Sequence, residues 1–417
     1  MRTFAPELQK QGGLTLVELL ISMFLSSIVL LGLFKVFDAN FQYYRVIQSD
    51  GSMQDSSRAA SYFVSDDIRN AGGYGCFQPS TFLSKIQLPG NYTANPQPLF
   101  FMADSLSAAI PLDQQQAEEN AVYLQDNVVG NVLVGEKTVE LGTDILTLKT
   151  LRRLAHIRLQ PGSIARTGDT KVVVVGDNIS KGYMVFMNCR GASRSAELVN
   201  VTSVREVDED SFELTFEEPL NANYPSVDSL RADSTSVGFY QPQRIVYFVS
   251  EGSAWNVSGE EPLSLFRQFN GTVSELVSGI EDFQVRFVGV DVIDDVDGSS
   301  EPDDAGGTGG VSDGQVNLLT RQILDGSNIA NVSVNSTQVV SIMVRMVVSG
   351  DLSGLGRSDS ERSDSAGFTG IPFGKTDGDS YDDDGRLRRV VGFSNSIRSQ
   401  LGHVMEFPEA DSSGGDQ

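Results

Sequence analysis

The order of apolar and polar positions divides the chain into regimes with different periods. From Leu14 to Phe37 it reads LTLVELLISMFLSSIVLLGLFKVF, 24 residues in which only Glu18 and Lys35 are charged. As a helix at about 1.5 Å per residue this stretch is roughly 36 Å long, enough for a hydrocarbon core of about 30 Å. Residues 38–71 contain no Pro and carry apolar side chains at helical spacings: Phe41, Tyr44 and Ile47, then Ala60, Phe63, Val64 and Ile68. The spacing predicts that the same helix continues over 38–72 as an amphipathic half. Gly51 is a local weak point, costing about 1 kcal/mol against Ala. Gly72-Gly73, with Gly75 just after, is its stop. From about residue 120 the runs become short and rich in β-branched and aromatic residues, bounded by Gly, Asn and Asp. AVYLQDN, NVLVGEKTVEL, DILTLKTL, KVVVVGDNI, YMVFMN, SFELTFEE, RIVYFVS, DFQVRFVGVDVI and VVSIMVRMVVS are the predicted strands. No helical patterns alternate with them, so parallel βαβ units are not expected. The expected fold class is α+β, a long N-terminal helix packed on a mostly antiparallel β head over residues 73–408. Residues 292–316 and 351–385 are low-complexity and acidic, and read as surface loops; 409–417 reads as a flexible tail.

The start of the chain changes the meaning of the apolar helix. Residues 1–13, MRTFAPELQKQGG, are polar and carry a net charge of +1. A secretory signal peptide also has a basic start and an apolar stretch. Here the stretch is too long, no small-x-small cleavage site follows it, and a carboxylate sits inside its beginning. A plain signal anchor accounts for the length but not for Glu18. An ionised side chain in a membrane costs at least a few kcal/mol unless paired, so Glu18 asks for a partner. If the chain is cut after Gly13, Leu14 carries a free α-amino group and Glu18 becomes the fifth residue of the mature protein.

Gly13, Leu14, Thr15, Leu16, Val17 and Glu18, following a short basic leader and opening a long apolar helix, resemble the class III signal of type IV pilins and type II secretion pseudopilins. That family usually has Phe where this chain has Leu14. Within it, SDDIRNAGGYGCF (Ser65 to Phe77) resembles the PilW family of minor pilins, in which the helix ends in an Asp-Ile-Arg segment followed by Ala-Gly-Tyr-Gly-Cys. GIEDFQVRFVGVD (Gly279 to Asp291) and VVSIMVRMVVSGD (Val339 to Asp351) look like that family's late strands. LRRVVGFSNSIRSQ (Leu387 to Gln400) looks like its last strand, with Ser399 in place of Asn. The resemblance covers both ends well and residues 80–240 poorly, which leaves room for an inserted lobe. PilW proteins are similar to the minor pseudopilin GspJ of type II secretion.

The resemblance implies cleavage after Gly13 by prepilin peptidase, N-methylation of Leu14 and an assembly contact through Glu18. It implies a single-pass inner-membrane protein of a Gram-negative bacterium, with its head in the periplasm, that later joins a pilus at the cell surface. The implied partners are other minor pilins, the major pilin, a pilus tip adhesin and the inner-membrane assembly platform. Its implied role is structural and non-catalytic: priming pilus assembly, with adhesion and twitching motility as the outputs. Two alternatives remain open. One is a GspJ-like pseudopilin of type II secretion; the other, of a different class, is a pilus-displayed adhesin or calcium-responsive binding module.

Composition narrows the chemistry. Against 31 Lys+Arg stand 55 Asp+Glu, a formal charge of −24 over 417 residues, which repels nucleic acid and anionic membrane surfaces. There are two His (His156, His403) and two Cys (Cys76, Cys189), too few for most His/Cys zinc sites or Ser-His and Cys-His nucleophiles. Both His read as structural. No phosphate-cradling Gly-rich loop with its Lys is present. Arg152, Arg153, His156 and Arg158 form a small basic run that suits an acidic neighbour better than DNA. In the exported compartment that the resemblance implies, Cys76 and Cys189 read as a disulfide. Such a bond would close a loop of about 110 residues, a contribution of about 4–5 kcal/mol in the chain-entropy model; two separately buried thiols are the other reading. Asp377, Asp379 and Asp382, with Asp383 and Asp384, are calcium candidates on a Gly-punctuated loop. Asp294, Asp295, Asp297, Asp303 and Asp304 form a weaker second group. Neither fits the EF-hand register, so solvated loops and no cofactor are the default expectation.

Overall fold

The computed structural model describes residues 15–77, 86–87, 121–160, 164–189, 194–225, 237–253, 262–291, 321–324, 337–350 and 388–397. Helix α1 runs without a break from Leu16 to Asn70, 55 residues. The strands that follow are β1 (Ile86–Gln87), β2 (Val122–Gln125), β3 (Leu133–Val134), β4 (Lys137–Thr138), β5 (Ile145–Arg153), β6 (Ile157–Leu159), β7 (Ile164–Ala165), β8 (Lys171–Gly176), β9 (Gly182–Asn188) and β10 (Ser195–Asp208). They continue with β11 (Ser211–Phe216), β12 (Tyr224–Pro225), β13 (Val237–Glu251), β14 (Leu263–Phe269), β15 (Thr272–Ser278), β16 (Ile280–Asp291), β17 (Arg321–Leu324), β18 (Thr337–Ser349) and β19 (Arg388–Ser396).

The fold is α+β, with a long apolar helix followed by a mostly antiparallel head. One large sheet runs β15-β14-β13-β9-β10-β11-β8-β6, with β5 and β2 added beside β13 and the short β1 pairing β10 in parallel. A second, four-stranded sheet runs β17-β16-β18-β19, all antiparallel. The second half of α1 packs between these sheets. Its Met53, Ala60, Val64 and Ile68 share one core with Leu146, Leu148, Ile245, Tyr247 and Leu265 of the large sheet and Phe283, Val285, Ile342, Val344 and Met346 of the small one. Strand periodicity explains how the large sheet does this. In β13, Ile245, Tyr247 and Val249 face the helix, while Val246 and Phe248 face a second core with Ile145, Phe266 and the β3–β4 hairpin.

β13 also joins two halves of the head. One of its edges pairs β5 over Tyr240–Tyr247. The other pairs β9 up to Tyr240 and β14 from Ile245. Pro242, which lacks an N–H, falls in the gap between those two partners. The Asn270 side chain fills the gap: its Nδ2 donates to Pro242 O at 3.2 Å and its Oδ1 accepts from Arg244 N at 2.8 Å. Beyond this point β6, β8, β9, β10 and β11 enclose a separate core of Ile157, Val172, Val174, Phe186, Val199, Leu214 and Phe239, with Phe186 stacked on Phe239 and Tyr224. This lobe occupies the stretch that the family resemblance covered poorly.

The reading of the amphipathic half needs one correction. Ala60, Val64 and Ile68 are buried, but Phe63 of the expected stripe is 41% exposed, and the inward stripe continues through Met53 and Ser49 and not through Ile47, Tyr44 and Phe41, which are exposed. Ser49 is the first residue of α1 that is buried, so Phe41 and Tyr44 lie below the head, while Ile47, about 200° around the helix from Ser49, faces away from it.

Candidate functional site

The site is α1 itself: its free half and the clamp that fixes its other half to the head. Gly13 and Leu14 lie outside the described residues, which begin at Thr15. Thr15 is the N-cap of α1. Its Oγ1 accepts from Glu18 N at 3.3 Å, while Thr15 N and Oγ1 each donate to Glu18 Oε2 at 3.1 Å. This reciprocal capping box satisfies N–H groups that no helical carbonyl can reach, and it places a carboxylate at the positive end of the helix dipole. The sequence reading assigned Glu18 only a partner in another chain; the structure adds one within its own.

From Leu16 to Tyr44 every residue of α1 is exposed, a free rod of roughly 43 Å at the usual helical rise. The most apolar stretch has a mean hydropathy of 2.4, so the helix is long and apolar enough to cross a membrane. Its hydroxyls are internally paired: Ser22, Ser26 and Ser27 donate to the carbonyls of Leu19, Ser22 and Phe24 at 2.7–2.9 Å. A hydroxyl bonded back to its own helix presents no unpaired donor to lipid.

The clamp sits in the passage Ser65 to Phe77. Asp67 receives Arg267 Nε at 2.8 Å and Nη2 at 3.2 Å, and the Tyr247 hydroxyl donates to the same carboxylate. Burial, then the Asp67 charge, hold the Tyr247 phenol well above its ordinary pKa. Burial alone would lower that of Arg267, but the hydrogen bond and charge of Asp67 raise it. Two residues earlier on α1, Ser65 Oγ accepts from Asn395 Nδ2 of β19 at 2.8 Å. Farther down, Asp50 lies 3.8 Å from Arg389. β19 therefore runs alongside α1, with Arg389 near the free half and Asn395 near the helix end.

Past the helix, Gly72 and Gly75 both take φ near +67°, a conformation open to Gly, and a Cβ at Gly75 would stand 2.5 Å from Met187 Sδ. This turn delivers Cys76 to Cys189 at the end of β9, where the two form a disulfide with a Cα–Cα distance of 5.7 Å. The bond fastens the end of α1 to the upper lobe beside buried Tyr74, Met187 and Tyr240.

Elsewhere the described residues offer little chemistry. Glu197 is buried beside a small cleft lined by Asn200, Glu217, Pro219 and Asn221. Its carboxylate accepts from Asn221 N, Asn221 Nδ2 and the Tyr224 hydroxyl at 2.7–3.2 Å. Burial raises its pKa and these bonds oppose the rise. It pins the lobe from inside and presents no acid to the surface. Asp144, buried where β5 meets β16, accepts from Asn127 N at 2.8 Å and Val285 N at 2.7 Å. Burial pushes its pKa up to about 8 despite those bonds, helped by the neighbouring Asp126 and Asp282. His156 is exposed in the turn between β5 and β6, with Arg152 and Arg158 exposed beside it. Among the described residues no group of three or more His, Cys, Asp or Glu is placed to hold a metal. Asp377, Asp379 and Asp382, the second acidic group and His403 lie outside the described residues.

Residues 8–34 match the prokaryotic N-terminal methylation motif, which supports a signal of the type IV pilin and pseudopilin class on a chain built around one long exposed helix. No curated protein matches the chain. A solved structure, the phage phi92 endosialidase, aligns at 12% identity over 71% of this chain and 60% of that one, with a TM-score of 0.15.

Proposed function

We propose that the protein is a minor pilin of a type IV pilus, PilW-like, cleaved after Gly13 and methylated on Leu14, that helps prime pilus assembly and sits at the filament tip. The observation that carries this reading is the methylation motif over residues 8–34 continued into a fully exposed apolar rod that bears a large disulfide-tied head. A rod of this kind needs a solvent other than water, first lipid and then neighbouring helices. Its role in that assembly is structural, as the methylation motif suggests. In this reading prepilin peptidase, the other pilins and the inner-membrane platform are its partners, and the head is held in the periplasm before assembly. The test is N-terminal sequencing or mass spectrometry of the mature chain beside piliation counts in a deletion strain. A chain beginning at Leu14, with pili lost on deletion and restored by complementation, supports it. A mature chain beginning after residue 20 ends the pilin reading, and intact pili with lost protein secretion reassign the subunit to type II secretion.

A further inference from the structure

The free half of α1 does not become polar where its apolar span ends. Beyond Phe37 come Phe41, Tyr43, Tyr44 and Ile47, all exposed by half or more. At 100° per residue these four fall within an arc of about 160°. Ser49 and Met53, which the head covers, lie on the opposite side of the helix. The aromatic arc is therefore not waiting for the head. It extends the apolar span by about two turns, with Lys35 and Asp38 at the join. A bilayer has a layer of this depth just outside its hydrocarbon, where Tyr rings rest with one end apolar and the other wet. Guanidinium groups stand at this level: Arg45 of α1 lies over the Phe41 ring at 5.9 Å, and the half-exposed Arg389, second residue of β19, lies 3.8 Å from Asp50. Thus Arg45, and Arg389 where it is not taken up by Asp50, are the guanidinium groups at the end that would meet phospholipid phosphates.

We propose that Phe41, Tyr43 and Tyr44 form an interfacial aromatic anchor seated in the headgroup layer of a phospholipid bilayer, holding the Arg45–Arg389 end of the head against the membrane surface. This rests on the membrane-anchored reading above and adds a depth and an orientation to it.

The test uses the full chain at high dilution in vesicles of phosphatidylcholine and phosphatidylglycerol brominated at defined acyl positions. The sole Trp is removed as Trp255→Phe, and one reporter is introduced at a time: Phe24→Trp, Tyr44→Trp or Tyr62→Trp. Emission at 24 should be lost to bromines deep in the chains and emission at 44 to bromines near the carbonyls, with a blue shift at both. Emission at 62 should be unchanged. If 24 is quenched while 44 behaves like 62, the anchor is wrong and the membrane span stands. If none of the three is quenched, the span falls with the anchor. If 44 shifts only when the chain-to-lipid ratio is raised, a second copy covers the arc and the proposal fails.

Discussion

At the scale of single residues, the capping box that Glu18 forms and the assembly contact proposed for it can be separated by substitution. Gln keeps most of a capping box, because its amide oxygen still accepts from Thr15, but it carries no charge. Ala loses both the charge and the cap, at about 0.5–2 kcal/mol for a helix start. If assembly depends on pairing with the α-ammonium of a neighbour, Glu18→Gln and Glu18→Ala should fail alike in co-purification with other pilins, at equal protein levels. A defect confined to Glu18→Ala would mean that only the capping box matters.

Asp67 gives a sharper stability prediction. Its side chain is 14% exposed and that of Arg267 is 25% exposed, so Asp67→Ala strands a half-buried guanidinium and a phenol. The expected loss is about 2–3 kcal/mol, against about 1 kcal/mol for Tyr247→Phe, both by denaturant unfolding. Asp144 predicts a pH dependence with the opposite sense to that of an ordinary surface acid. Its folded pKa of about 8 stands above the model-peptide value of 3.8, so the folded state keeps a proton that the unfolded chain releases. Its contribution is complete below about pH 4 and is lost as pH rises through about 8. Asp144→Asn should flatten that part of the profile. A wild-type stability unchanged between pH 5 and pH 8 would refute the assignment.

At the scale of elements, the disulfide and one close approach decide how firmly α1 is held. Cys76 and Cys189 are separated by 113 residues, and the chain-entropy model gives about 4–5 kcal/mol for closing such a loop. Cys76→Ser with Cys189→Ser should lower the melting temperature and leave the helix–head clamp at Asp67 in place, as read by proteolysis of α1. Lower down, a Cβ at Gly350 would collide with Ser49, whose buried Oγ has no hydrogen-bond partner. Ser49→Ala should therefore be neutral or stabilising, whereas Gly350→Ala should push the helix off β18.

These elements also show what could be read from sequence. The helix from Leu16 to Asn70 was legible because apolar spacing, the absence of Pro and a Gly stop agree over a long stretch. Most strands were legible from β-branched runs. β10, β14 and β15 were not, because AELVNVTSVREVD, LSLFRQF and TVSELVS mix polar and apolar residues without a clean alternation. The Asp67–Arg267–Tyr247 clamp was invisible because its members lie 180 and 200 residues apart. Nothing local distinguishes Asp67 from Asp66, which points to solvent. Only the fold brings three weak signals to one point.

At the scale of the whole molecule, the question is where a rod with this head can sit. A filament subunit must let neighbouring rods approach along its free half, and its head must fit between the heads above and below. Here the outward side of α1 within the head remains exposed, with Tyr62 at 70%. The two sheets cover the rest of the helix end, and the extra lobe of β6 to β11 is tied to the turn after it through Cys76–Cys189. A subunit at the end of a filament needs contacts on one side only, so an enlarged upper lobe adds no clash there. Inside the shaft the same lobe would have to fit between repeated neighbours. The prediction follows from that asymmetry. On sheared pili, antibody raised against residues 121–253 should give one gold cluster at one end of a filament. Deletion of the chain should lower the number of pili per cell while leaving the diameter of those that remain unchanged, since the shaft is built without it. Labelling repeated along the shaft, or normal pilus numbers in the deletion strain, would sink the tip-and-priming assignment. The proposed cleavage after Gly13 would be untouched by that result, because it rests on the motif over residues 8–34 and not on where the head ends up.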